Sequence, residues 1–160
     1  DVRAITTALG AAGMTNEDIV VHPVTVNQIY SDGSMSGYNV NQSITVTSKD
    51  IDRIESLAAN PANLIGRGVV LQDSNLSYYV SEIAAVKQKL LAAATEDAMK
   101  RAAEIAANAG VRLGKVQSAR AGVFQITEPY STEVSDYGIY STWTREKDAT
   151  VTVRAVFGVR

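Results

Sequence analysis

Between Lys87 and Gly110, Leu91, Ala94, Ala98, Ala102, Ile105 and Ala109 recur at intervals of three and four, which sets them in one stripe down an α-helix. The stripe is expected to face a core. Alanines at Ala94, Ala98, Ala102 and Ala106 let the helix backbone lie close to a neighbouring layer, while Leu90, Leu91 and Ile105 fill the space at its sides. Glu96 stands four residues before Lys100, the favourable order for a pair worth ~0.2–0.5 kcal/mol, and Gly110 offers a left-handed C-terminal stop. No other stretch is long and periodic enough to cover a sheet, so this helix reads as the scaffold of the chain.

Around it the period changes repeatedly. Val2, Ile5 and Leu9 repeat at helical spacing and stop at Gly10 and Gly13, as if the sequence opened inside the last turns of a helix. Ile19–Tyr30 is β-branched and reads as a strand, with Pro23 marking an edge, a bend or a bulge. Ser31–Gly37 is a turn, and in Tyr38–Thr47 the row Tyr38, Val40, Gln42, Ile44 and Val46 alternates with Asn39, Asn41, Ser43, Thr45 and Thr47. A hairpin follows from that pairing. Thr47 or Ser48 can cap the next helix, whose buried stripe is Ile51, Ile54, Leu57 and Ala58 and whose end is Asn60–Pro61. Val69–Leu71 and Leu76–Val80 are expected as short strands, and Lys115–Ile126 and Asp148–Val159 as longer ones. In the last, Ala149, Val151, Val153, Ala155, Phe157 and Val159 share a face. The rhythm is strand, strand, helix, which predicts an α+β domain with a largely antiparallel sheet and helices packed on one face.

Between Thr127 and Glu146 the alternation lapses for about twenty residues that hold Tyr130, Tyr137, Tyr140 and the single tryptophan, Trp143. Two roles suit such a segment: a surface excursion whose rings lie back on their own domain, or an arm that contacts another protein.

Composition narrows the chemistry. With 160 residues, 46% hydrophobic and 20% charged, the chain is long enough for one good core and is expected to be a single domain, 1–160. A net charge of −2 with interspersed signs argues against a nucleic-acid grip, which needs a clustered basic face. Lys100, Arg101, Arg112, Lys115 and Arg120 suit a solvated rim near a helix C-terminus, diluted by Glu104. One histidine, His22, and no cysteine leave little from which to build a metal site. Gly33–Gly37 (GSMSG) has Met35 where a serine nucleophile would stand, and Gly110–Lys115 (GVRLGK) is too short for a phosphate loop and follows a helix. The neighbouring acids Glu17/Asp18, Asp50/Asp52 and Glu96/Asp97 suit solvated helix ends better than an acid–base pair facing one cleft. The sequons at Asn41 and Asn75 matter only in a eukaryotic secretory setting. No catalytic residue, cofactor or metal is therefore assigned.

The block Tyr78–Ile126, with its recurring Ala-x-x-x-Ala from Ala94 to Ala106, Ala-x-x-x-Gly from Ala106 to Gly110 and Leu-Gly-Lys-Val at Leu113–Val116, resembles the SIMPL-domain family of bacterial envelope proteins. The passage Ser43–Ile54 and the closing strand ATVTVRAVFGV are also similar to that family. The resemblance implies a leader or anchor, and a further strand, ahead of the first helix. With Asp1 first, these are expected to lie upstream. It also implies the bacterial periplasm or the extracytoplasmic face of the inner membrane, with membrane attachment only through the missing N-terminal segment. The function expected is non-catalytic, by self-assembly as a homo-oligomer or by contact with an envelope protein partner, through Tyr130, Tyr137, Tyr140 and Trp143. The alternative is a small-ligand-binding domain or an enzyme whose site no local motif shows.

Overall fold

The computed structural model describes residues 2–60 and 70–160, and the chain divides into two compact units, Asp1–Leu76 and Ser77–Arg160. In the first unit, α1 (Val2–Ala11) ends where Gly13 turns left-handed at φ +85°, and the N–H of Met14 donates to the carbonyl of Leu9 at 3.0 Å. Among the described residues of this unit, Leu9 and Met14 are the buried apolar side chains.

The strand expected over Ile19–Tyr30 is broken into β1 (Ile19–Val21) and β2 (Thr25–Ser31), and its partner into β3 (Ser34–Asn41) and β4 (Ile44–Val46). β1 pairs antiparallel with β4, and β2 with β3. Both strands break at the same level, because Pro23 has no N–H to give a ladder. Around the gap the N–H of His22 donates to Ser43 O at 3.0 Å and the Gln42 amide donates to His22 O at 2.8 Å. The His22 ring meets the Thr45 hydroxyl at 2.9 Å, a structural role for the lone histidine. The turn is tighter than Ser31–Gly37. Asp32 and Gly33, at φ +52° and +79°, make a two-residue primed turn whose twist suits a hairpin, so β3 starts at Ser34 and Gly37 lies within it beside a bulge.

α2 (Ile51–Ala59) presents Ile51, Ile54, Leu57 and Ala58 half-buried, as the periodicity requires. Its cap is neither Thr47 nor Ser48. The Asp50 carboxylate accepts from Arg53 N at 3.2 Å, while the Ser48 hydroxyl accepts from Asp50 N, so the serine braces the cap instead of forming it. The Arg53 guanidinium also reaches Gly13 O at 3.3 Å and ties α2 to the end of α1. Pro61 and Val69 lie outside the described residues, and Val70–Val80 carries no strand. At Tyr78 and Val80 the N–H groups go to Thr142 O and the Tyr140 hydroxyl, at 2.9 and 2.8 Å. A side-chain acceptor thus replaces part of a ladder.

The long helix, α3 (Ile83–Asn108), starts four residues before Lys87, where the periodic segment was expected to begin, and lies against β5 (Leu113–Ala121) and β9 (Val153–Val159). Its inward row is Ile83, Val86, Leu90, Ala94, Ala98, Ala102 and Ala106, the last buried. Leu91, Ile105 and Ala109 are exposed, contrary to the expected stripe. From Val86 on the spacing is strictly four, a ridge inclined ~26° to the helix axis, so the contact line crosses the helix obliquely and leaves its flanks wet. Glu96–Lys100 forms at 2.7 Å as the spacing demands, and Asp97–Arg101 beside it at 2.8 Å. Gly110, at φ +72°, ends the helix, and Val111 N donates back to Ala106 O.

β5 pairs antiparallel with β9. A second sheet has β6 (Gln125–Thr127) at its centre, antiparallel to β8 (Asp148–Thr150) and parallel to β7 (Ile139–Tyr140). The two long C-terminal strands expected from the alternation are therefore each split, at Gly122–Phe124 and at Val151–Thr152. The breaks face each other, joined by Gly122 N donating to Thr152 O at 2.8 Å. Alternation nonetheless persists, with Ala149, Val151, Val153, Ala155 and Phe157 half-buried and Val159 exposed. The class is α+β, its pairing mostly antiparallel and gathered in small sheets.

Candidate functional site

The segment after β6 is held by many short-range bonds. Tyr130, at φ +63°, donates its N–H to the Asp148 carboxylate at 3.0 Å, and the Gln125 amide donates to Ser135 O at 2.7 Å. Gly138 N donates to Ser135 O, Ser141 N to Ile126 O, and the Lys147 ammonium to Ser141 O and Thr144 O, both at 2.7 Å. Burial penalises the charged form and sets the Lys147 pKa below the ordinary lysine range, against the pull of the Glu128 carboxylate. The neutral amine keeps two N–H groups, so both carbonyl bonds survive either state.

On this backbone the four aromatic residues separate into two roles. Tyr130, Tyr137 and Trp143 are 95%, 98% and 76% exposed. Tyr140 instead stacks on Tyr79, with ring centroids 6.3 Å apart, and its hydroxyl accepts from Val80 N. It packs within its own unit. Tyr79 was not singled out by the sequence because its neighbours read as a strand; an aromatic pair across β7 is the signal that would have found it.

A cleft of about 330 Å³ is lined by Tyr79, Val80, Val86, Ile126, Arg145, Lys147 and Ala149. Its lining holds the basic side chains of Arg145 and Lys147 and the Tyr79 phenol, and no carboxylate. A hollow of about 390 Å³ lies beside Gln125, whose buried Oε1 has no hydrogen-bond partner, with Asp136 also on its wall. Of the neighbouring acids, Asp18 is held by Thr15, Asp50 by Arg53, Glu96 by Lys100 and Asp97 by Arg101. Among the described residues no three of His, Cys, Asp or Glu stand close enough to hold a metal ion. Nor is any helix among them long and apolar enough to cross a membrane.

These features define an α+β protein whose most distinctive side chains are outward aromatics on an ordered loop. The SIMPL family model, a protein of unknown function (DUF541), matches residues 1–157, and the chain belongs to that family. No curated protein matches it.

Proposed function

We propose that this chain is a non-catalytic protein of the bacterial envelope, in the periplasm or on the outer face of the inner membrane, that works by self-assembly or contact with another protein through the segment 128–146. The observation that carries the reading is the exposure of Tyr130, Tyr137 and Trp143 on backbone that is pinned by Asp148, Ser135 and Ser141. Large rings held in water on a preordered loop lose little entropy on docking, which favours them as interface anchors. The envelope placement follows what the family resemblance implies about a leader or anchor.

The test replaces Tyr130, Tyr137 and Trp143 with alanine and leaves Tyr140 in place. Apparent mass is measured in fresh cell extract and after purification, alongside the melting temperature. A contact segment gives a lower mass with cooperative melting at nearly the same temperature. An unchanged mass in both preparations rejects the contact role, whether or not melting falls.

A further inference from the structure

Gln125 occupies the central strand of its sheet, flanked by β7 and β8 and only 6% exposed, where an apolar residue would be the ordinary choice. Its amide nitrogen donates to Ser135 O at 2.7 Å, a carbonyl that also accepts from Gly138 N at 3.1 Å. That bond settles which end of the amide is which, since an oxygen turned toward a carbonyl would be repelled. Oε1 is therefore the end left over, buried and with no donor among the described residues. Buried acceptors in native proteins are nearly always paired, so an open one on a central strand calls for a donor from outside the chain.

Such a donor has a place to sit. The hollow of about 390 Å³ opens where both C-terminal strands leave their ladders, with Gly122 and Val123 on one strand and Val151 and Thr152 on the other. Gln125 and Thr150 are cross-strand partners on one face of the sheet and line it together, while Ile126 and Ala149, on the opposite face, line the other cleft. The loop brings Ser135 and Asp136 to the same hollow, and every lining residue lies within the second unit. Asp136 is the one charged side chain on the wall, and its carboxylate has no ion-pair or hydrogen-bond partner among the described residues. Oε1 itself is covered, and Val134, 81% exposed, is the lining side chain that can swing aside for a donor.

We propose that this hollow is a binding site for a small primary amine in its ammonium form, whose nitrogen donates to Gln125 Oε1, whose charge is balanced by Asp136, and whose short carbon chain lies on Val123, Val134 and Val151. An ammonium carries three donors and no acceptor, which suits a wall made of an amide oxygen, a carboxylate and the hydroxyls of Thr150 and Thr152. A carboxylate or phosphate would meet Asp136 with the wrong sign, and no basic side chain lines the hollow to receive it. A lone water would pair Oε1 but leave the Asp136 charge and the three valines without a part to play. The site goes beyond the contact reading: Val134–Asp136 belong to the segment 128–146, but Tyr130, Tyr137 and Trp143 do not line the hollow.

The test titrates the full chain, uniformly labelled with heavy nitrogen, with n-butylammonium chloride and, in separate runs, with n-butanol, sodium butyrate and sodium chloride. Amide resonances are followed at the Gln125 side chain and at the backbone of Gln125, Ser135, Asp136 and Thr150. n-Butylammonium should give saturable shifts with a Kd of about 1–10 mM, as suits so small a probe, and n-butanol and butyrate should bind at least about 10-fold more weakly. Asp136→Asn should weaken n-butylammonium about 5-fold and leave n-butanol unaffected. Gln125→Leu should abolish the saturable response. Should that variant fail to fold, Asp136→Asn and the parent's Gln125 side-chain amide decide, because Asp136 is exposed and its substitution spares the packing. Alanine at Tyr130, Tyr137 and Trp143 should leave the titration as it is, so failure of the amine site and failure of the contact role are told apart. No saturable shift with n-butylammonium would mean that water alone meets Oε1 and overturns the proposal, as do n-butanol or butyrate binding equally well, or an Asp136→Asn chain that binds like the parent.

Discussion

Gly138 joins the aromatic loop to β7 at φ +85°, and a Cβ built there would lie 2.9 Å from Phe124 O. Gly110, in the same unit, is also left-handed at φ +72°, but a Cβ there meets nothing within 4 Å. Alanine at either position bears the left-handed penalty of about 1–2 kcal/mol. At Gly138 it must also displace a backbone carbonyl on the approach to β6, whose three residues are all buried, so the contact cannot be relieved by turning a side chain. Overpacking of that kind adds ~1–3 kcal/mol. Gly138→Ala should therefore cost about 2–5 kcal/mol and Gly110→Ala about 1–2 kcal/mol. With a urea slope of ~1–3 kcal/mol per molar, the midpoint should fall about 1 M further for Gly138→Ala than for Gly110→Ala. Both glycines report on one transition, so the difference isolates the carbonyl clash. Equal shifts would refute the claim that β6 is rigidly packed beneath the loop.

Ala102→Leu and Ala106→Leu should each cost ~1–3 kcal/mol by overpacking against β5 and β9, whereas Lys100→Leu on the solvated side should stay within ~0.5 kcal/mol; indistinguishable denaturant midpoints would contradict the observed helix face. Tyr140→Phe should keep the ring stack on Tyr79 but lose the acceptor for Val80 N, lowering stability by ~1 kcal/mol, while Tyr137→Phe should leave melting unchanged. The Thr15 backbone N–H, then its hydroxyl, hold the Asp18 carboxyl below its usual range, with Arg53 assisting and slight desolvation opposing. A depressed carboxylate contributes stability above its unfolded pKa of about 3.9 that is lost as pH falls through the lower folded value. Melting temperature followed down from about pH 6 should thus drop less steeply below about pH 4 in Asp18→Asn than in the parent, and parallel acid limbs would exclude the effect.

Much of the fold was legible because it rests on local chemistry. The helical period of Val2–Leu9, Ile51–Ala58 and Lys87–Gly110 marked three helices, and Gly13 and Gly110 stop the first and last as their freedom allows. What the sequence hid was decided by partners far along the chain. Whether Leu91 or Leu90 faces inward depends on the angle at which α3 crosses β5 and β9, which a window of one helix does not contain. The strand-like composition of Leu76–Val80 was equally misleading, since the N–H of Val80 is taken by a tyrosine sixty positions later. Tyr130, Tyr137, Tyr140 and Trp143 share one composition, and only the position of Tyr79 separates Tyr140 from the rest.

The two-residue turn at Asp32–Gly33 also orders events in time. Closing β2 on β3 bridges almost no chain, so that ribbon can zip in about 1–10 µs once its last residue is free. β9 must instead find β5 across the whole span from Gly122 to Thr152, and loop-closure entropy delays it. At synthesis speeds of ~5–20 residues per second the ribbon exists for seconds before Val153–Val159 has been made. Once α3 and β5 have been made, the edge of β5 and the part of α3 that lies against β9 still wait for a partner, and the second unit becomes cooperative only when its final strand arrives.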